Sequence, residues 1–169
     1  MSSSQKFDYT LDQPLSDRIP TKMLAPTQDT FTDTDFFEHE LATIFDSDWV
    51  MVGRAGSIPE PGDYFTASLG QRPILLMRQQ DRSIKAMANY CLHRYTQLLK
   101  GCGSTRYIVC PYHYWSYELD GKLHGVTNRD GFCPEDLENQ TLEPLACEVF
   151  LGYIFVSLKH DLQPVAERL

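Results

Sequence analysis

The stretch CLHRYTQLLKGCGSTRYIVCPYHYWSYELDG, residues 91–121, contains two short segments of the same chemical make-up. Cys91-Leu92-His93 and Cys110-Pro111-Tyr112-His113 each offer one thiolate and one imidazole on a tight loop, with sixteen residues between His93 and Cys110. Around them TRYIVC, WSYEL and KLHGV read as short strands, rich in β-branched and aromatic residues. Asp120-Gly121 predicts a two-residue hairpin turn, because both residues tolerate positive φ. Working outward, WVMVGR (49–54), DYFTASL (63–69), PILLMR (73–78) and SIKAMAN (83–89) precede the stretch, and CEVFL (147–151) and YIFVSL (153–158) follow it. Pro59-Glu60-Pro61-Gly62, Leu69-Gly70 and Gln79-Gln80-Asp81 punctuate them. Many short strands without alternating helices predict a mainly β chain, a small antiparallel sandwich or barrel.

Residues 1–30 are polar, with Pro14, Pro20 and Pro26 spaced through them, and read as an extended arm. One N-terminal helix is expected over 31–48, capped by Thr32 or Asp33, with Phe37, Leu41, Ile44 and Phe45 on one face. After the last strand, Pro164 suits a first helical turn, and Leu162, Val165, Ala166 and Leu169 begin an apolar face of about one turn. Residues 159–169 are therefore expected to start a linker or helix leading to a further domain.

The 169 residues carry 23 acids against 15 bases, a net charge of −8, which makes nucleic acid a poor partner. Residues 81–130 are nonetheless at +3 and the remainder at −11. No run approaches the roughly 18 apolar residues of a membrane span. The N-terminus lacks the pattern of a secretory signal, and five cysteines make an odd number, so a reducing cytoplasm is expected.

Two thiolates and two imidazoles form a Cys₂His₂ set, for which zinc is one reading. Zinc fingers pair Cys with Cys and His with His along the chain, whereas each segment here mixes the two. A Rieske [2Fe–2S] centre has two cysteines on one iron and two histidines on the other, a pattern that two such loops supply.

Cys91-Leu92-His93-Arg94 with Cys110-Pro111-Tyr112-His113, Trp115, Tyr117 and Gly121 resembles the Rieske domain of the large subunit of Rieske non-haem iron oxygenases, the aromatic-ring-hydroxylating type. Trp49-Val50, Pro61-Gly62-Asp63-Tyr64 and Gly152-Tyr153-Ile154-Phe155-Val156 extend the similarity over residues 30–160 or so, with the Rieske domain itself at 49–158. The resemblance implies a Rieske-type fold with a cluster-binding subdomain. It implies a [2Fe–2S] cluster held by Cys91 and Cys110 on the inner iron and by His93 and His113 on the outer one. Trp115 would pack beneath the cluster and Arg94 would brace the first loop.

Two residues depart from the family pattern: Tyr95 and Tyr114 stand where many members have Gly or another small residue. Their rings are expected either to shield the histidine edge or to point outward from ordinary β-region backbone. Thr96 and Tyr112 occupy the places of the two extra cysteines of respiratory Rieske proteins, and Trp115 that of their Ser. The loop-tying disulfide is thereby excluded, and a potential at the low end of the Rieske range, about −150 mV, is expected.

The implied function is electron transfer within a multicomponent oxygenase. The domain would pass single electrons from a reductase or ferredoxin to a mononuclear non-haem iron that hydroxylates or demethylates an organic substrate. The resemblance places that Fe(II) in a downstream catalytic domain and implies a homo-oligomer, a trimer in the family; His39, His124 and His160 form no paired two-His-one-carboxylate motif of their own. Cys102 reads as a small turn residue, and Cys133 and Cys147 as buried small hydrophobes. No Gly-rich dinucleotide fingerprint occurs. The alternatives are a free-standing Rieske-type ferredoxin and a structural zinc module.

Overall fold

The computed structural model describes residues 29–168. The chain falls into two units, Met1–Phe37 and Glu38–Leu169. The arm expected over residues 1–30 lies, but for its last two residues, outside the described part. Residues Asp29–Thr32 form one helical turn, α1, and α2 runs from Thr34 to Glu40. Asp33 caps α2 as expected, its Oδ1 accepting the Phe36 N–H at 2.8 Å.

The single helix expected over 31–48 is instead broken. After Glu40 the chain widens into a turn at Leu41–Phe45, in which the Asp46 N–H donates to the Leu41 carbonyl five residues back. The wider turn keeps Leu41 and Phe45 together, half-buried over Gly70, but carries Ile44 into solvent. The expected apolar face is therefore only partly covered.

Ten strands follow: β1 (Val50–Arg54), β2 (Asp63–Leu69), β3 (Arg72–Arg78), β4 (Ile84–Ala88), β5 (Cys102–Ser104), β6 (Ile108–Val109), β7 (Ser116–Tyr117), β8 (Leu123–Gly125), β9 (Pro144–Phe150) and β10 (Tyr153–Ser157). Seven make one antiparallel sheet in the order β1-β10-β9-β4-β3-β2-β5, and β6-β7-β8 make a second. The larger sheet curls, so that the Phe65 ring on β2 packs against Gly53 on β1 at the far end of the strand order. No helix is long and apolar enough to cross a membrane among the described residues.

Strand β3 explains the unbroken apolar run Ile74-Leu75-Leu76-Met77. Ile74 and Leu76 face the core inside the curled sheet, with Ile154 and Val156. Leu75 and Met77 face a second core shared with the small sheet and with Cys91 and Cys110. All four β3 side chains are buried, so period-2 alternation is absent because neither face meets water.

Two turn readings change. In the β7–β8 hairpin only Gly121 has positive φ, at 92°, and Asp120 does not. The Glu118 carbonyl accepts from Gly121, and the Glu118 N–H donates to Lys122, which makes a three-residue loop rather than a two-residue one. Cys102 lies not in a turn but on β5, an edge strand pairing Phe65 with Cys102 and Tyr64 with Gly103. Tyr64 lies over Gly103 and supplies the packing that the Gly-Cys-Gly sequence lacks.

Gly62 fixes how the two sheets meet. Its φ is 91°, and a Cβ there would stand 2.5 Å from the Thr105 carbonyl oxygen. The Thr105 N–H donates to the Gly62 carbonyl at 2.9 Å, tying the turn into β2 to the chain that enters β6. At the other end, Val165–Arg168 form one turn, α4, too short to persist alone after α3 at Pro134–Leu137. Its N-terminal side is held by Val165 N–H to Glu148 and by the Trp49 indole to the Gln163 carbonyl, both at 2.9 Å.

Candidate metal centre

The two Cys/His segments fold into loops closed in the same way. In the first, the Cys91 carbonyl accepts from the Tyr95 N–H and the Cys91 N–H donates to the Thr96 carbonyl, each at 2.8 Å. In the second, the Cys110 carbonyl accepts from Tyr114 and the Cys110 N–H donates to Trp115, at 3.1 and 2.8 Å. Closing each loop puts its fifth residue in the left-handed region: Tyr95 has φ 55° and Tyr114 φ 60°. Neither tyrosine therefore sits in β-region backbone, although both rings do point outward, 74% and 68% exposed. The ring that covers His113 is Tyr112, centroid to centroid 3.8 Å.

The first loop is anchored by two buried polar groups, Tyr117 of the motif and Asn89, which sequence patterning does not single out. The Asn89 amide, fully buried, accepts from the Leu99 N–H at 3.0 Å and donates to the Leu99 carbonyl at 2.8 Å. It acts as an extra rung at the foot of the first loop. Tyr117, on β7, joins the loops. The Leu92 N–H donates to the Tyr117 oxygen at 3.0 Å, which leaves the phenol proton free to donate to Cys91 Sγ at 3.1 Å.

The four side chains converge. Cys91 and Cys110 are each 1% exposed, and their thiols are neighbours. The His93 and His113 rings meet edge to face, with centroids 4.7 Å apart. Trp115 stacks flat on His93 at 5.0 Å and 7°. Burial pushes the Cys91 thiol above its ordinary range, while the Tyr117 hydrogen bond pulls the other way. Burial, and then the His113 ring beside it, hold the His93 imidazole below the usual histidine range, so its neutral, ligating form is favoured.

A third segment, Val126–Leu137, also reaches the site. The Thr127 hydroxyl donates to the His113 carbonyl at 2.6 Å. The Phe132 ring stands edge-on to His93 at 6.0 Å and to Trp115 at 5.3 Å. Neither residue carries a motif, and only their place in the fold brings them here.

Among the described residues no three His, Cys, Asp or Glu side chains close on a single point. What the loops present is a pair of thiols and a pair of imidazoles, the donor set that a two-iron cluster divides between its irons. His93 Nδ1 fits that use: it is a buried polar atom without a hydrogen-bond partner, as a ligand nitrogen must be.

A family model for the Rieske [2Fe–2S] domain matches residues 48–140. The chain belongs to this family. As a Rieske domain it is 33% identical over 140 residues to the oxygenase subunit of carnitine monooxygenase from Acinetobacter baumannii, covering 82% of this chain and 38% of that protein. It is 34% identical over 141 residues to the large oxygenase component of the naphthalene 1,2-dioxygenase system of Pseudomonas putida, covering 81% and 31%. The crystal structure of the quaternary ammonium Rieske monooxygenase CntA with L-carnitine superposes with a TM-score of 0.77 at 33% identity, covering 83% of this chain and 40% of that one. The chain thus spans less than half the length of these relatives.

The remaining sequence candidates fall elsewhere. Arg94 is exposed, and its guanidinium makes no hydrogen bond or ion pair with a described residue. Cys133 is exposed rather than buried, because the turn before α3 faces solvent, and Cys147 is half-buried. His39 and His160 are exposed. His124 pairs with Glu118 at 2.6 Å and stacks on Tyr107 at 4.4 Å.

Proposed function

We propose that Cys91 and Cys110 hold one iron and His93 and His113 the other in a Rieske [2Fe–2S] cluster. On this reading the domain relays single electrons from a reductase or ferredoxin to the mononuclear non-haem iron of an oxygenase that hydroxylates or demethylates an organic substrate. The observation that carries this is the meeting of two buried thiols and two imidazoles, edge to face, from two loops of like closure. Bound there, the cluster supplies a reversible one-electron couple. The chain's own residues do the rest. The core around Cys91 and Cys110 excludes water, the Tyr117 hydroxyl donates a hydrogen bond to the Cys91 sulfur, and Trp115 and Tyr112 fix the two imidazole planes.

The mononuclear Fe(II) and its ligands are assigned to a catalytic domain of the kind that the relatives' additional length accommodates. Transfer between subunits of a homo-oligomer, a trimer, is the accompanying proposal. It is supported by the inter-subunit electron transfer described for a quaternary ammonium Rieske monooxygenase of similar fold, TM-score 0.76. Five free cysteines suit work in the cytoplasm.

Anaerobic reconstitution tests the reading. The protein should take up two irons and two sulfides per chain, absorb visible light and give a Rieske electron paramagnetic resonance (EPR) signal when reduced. His113→Ala should abolish that signal. Colourless protein, or an unchanged signal in the variant, would sink the ligand assignment.

A further inference from the structure

The segment between β8 and β9 touches both histidines by different means, and nothing in the two-loop pattern of ligands calls for it. Val126–Leu137 leaves β8 and returns to the core through Leu137, which is buried with Cys91 and Cys110. Between these anchors the chain makes a tight turn. Asn128 takes φ 55°, the Gly131 N–H donates to the Asn128 carbonyl at 2.9 Å, and the Phe132 N–H donates to Arg129 at 3.0 Å. The turn aims Phe132 inward while residues 127–131 stay exposed.

Two contacts result. Phe132 meets the His93 ring edge-on, at 82°, on a residue whose plane is already held by Trp115. Thr127 binds the carbonyl of His113, whose loop is closed one residue later by a strained tyrosine. A perpendicular aromatic neighbour and a hydroxyl-to-carbonyl bond are both directional. Together they limit rotation of one imidazole and translation of the other.

We propose that Val126–Leu137 is a third positioning element of the centre, in which Phe132 and Thr127 set the mutual orientation of the His93 and His113 imidazoles. The proposal rests on the reading of those histidines as cluster ligands, and it adds residues that are not ligands. Partners of this outer kind alter how firmly ligands grip and how the metal behaves, not whether the fold forms.

Three measurements test it. In the metal-free protein, the ring carbon–proton resonances of His93 should move in Phe132→Leu through loss of the aromatic ring current, while those of His124 and His160 stay put. In the reconstituted protein, Phe132→Leu and Thr127→Val should alter the EPR g-values of the reduced cluster and raise the rate of iron loss to a chelator by about tenfold. Thr127→Ser should restore both. Thr127 is exposed, so its variants read the contact without threatening the core. Unmoved His93 resonances together with unchanged g-values and iron loss in Phe132→Leu and Thr127→Val would overturn the proposal. Failure of the unsubstituted protein to show a Rieske signal would instead overturn the ligand reading on which it rests.

Discussion

Tyr95 and Tyr114 hold equivalent places in their loops, and each is forced to positive φ by the same pair of backbone hydrogen bonds. A left-handed conformation costs an L-residue with a Cβ roughly 1–2 kcal/mol, and exchange for glycine returns part of that as chain entropy in the unfolded state. The Tyr95 ring lies 5.5 Å from Tyr90, whereas the 68% exposed Tyr114 ring packs on no other aromatic among the described residues. Tyr114→Gly should therefore stabilise the protein by about 0.5 kcal/mol, and Tyr95→Gly by less, read as a shift in denaturant midpoint. A fall in the midpoint for Tyr114→Gly would refute the strain account. At this scale the four side chains that meet were legible, because thiol and imidazole announce themselves by type and spacing. The tyrosine backbone was not, since loop closure rather than residue preference decides it. Asn89, Thr127 and Phe132 were invisible because their partners lie ten or more positions away.

The strands of the larger sheet mostly followed the sequence, β3 among them although neither of its faces meets water, and the departures came at a hairpin loop, an edge strand and the N-terminal helix. The β7–β8 hairpin was foreseen at the right place, but with one residue too few in its loop. Asp120 turns out to serve that loop through its side chain: Oδ1 accepts from the Lys122 N–H at 3.1 Å, and the carboxylate pairs with the Lys122 ammonium at 3.3 Å. Burial pushes the Asp120 carboxyl up, but the Lys122 amide and ammonium outweigh it and hold it below its ordinary 3.8. A carboxyl depressed in the folded state adds stability that is present above its unfolded value and lost as pH falls. The unfolding midpoint should thus drop as pH falls below 3.8, and Asp120→Asn should flatten that part of the profile. An identical acid limb in the variant would remove Asp120 from the account. β5 and the broken helix were missed for a shared reason. Tyr64 over Gly103 and the widened turn at Leu41 are tertiary and backbone events that composition does not encode.

Within the unit that carries the sheets, one wall organises the interior. β3 divides the interior of the curled sheet from the core that seats the two loops, and adjacent residues on it serve different masters. Leu75→Ala and Leu76→Ala should each destabilise by about 2–5 kcal/mol, because both side chains are fully buried. Only Leu75→Ala should also change the visible spectrum of the reconstituted protein, since Leu75 shares its core with Cys91 and Cys110. Equal spectral effects from both would show that the two cores are not separable. The like closure of the two loops has a consequence beyond this chain. Residues 91–96 and 110–115 are each sealed by their own main chain, so each is a cassette whose shape travels with it. A pair of hairpins that presents such cassettes at the right separation starts with the same four donors in place, while Tyr117, Thr127 and Phe132 come from the architecture around them.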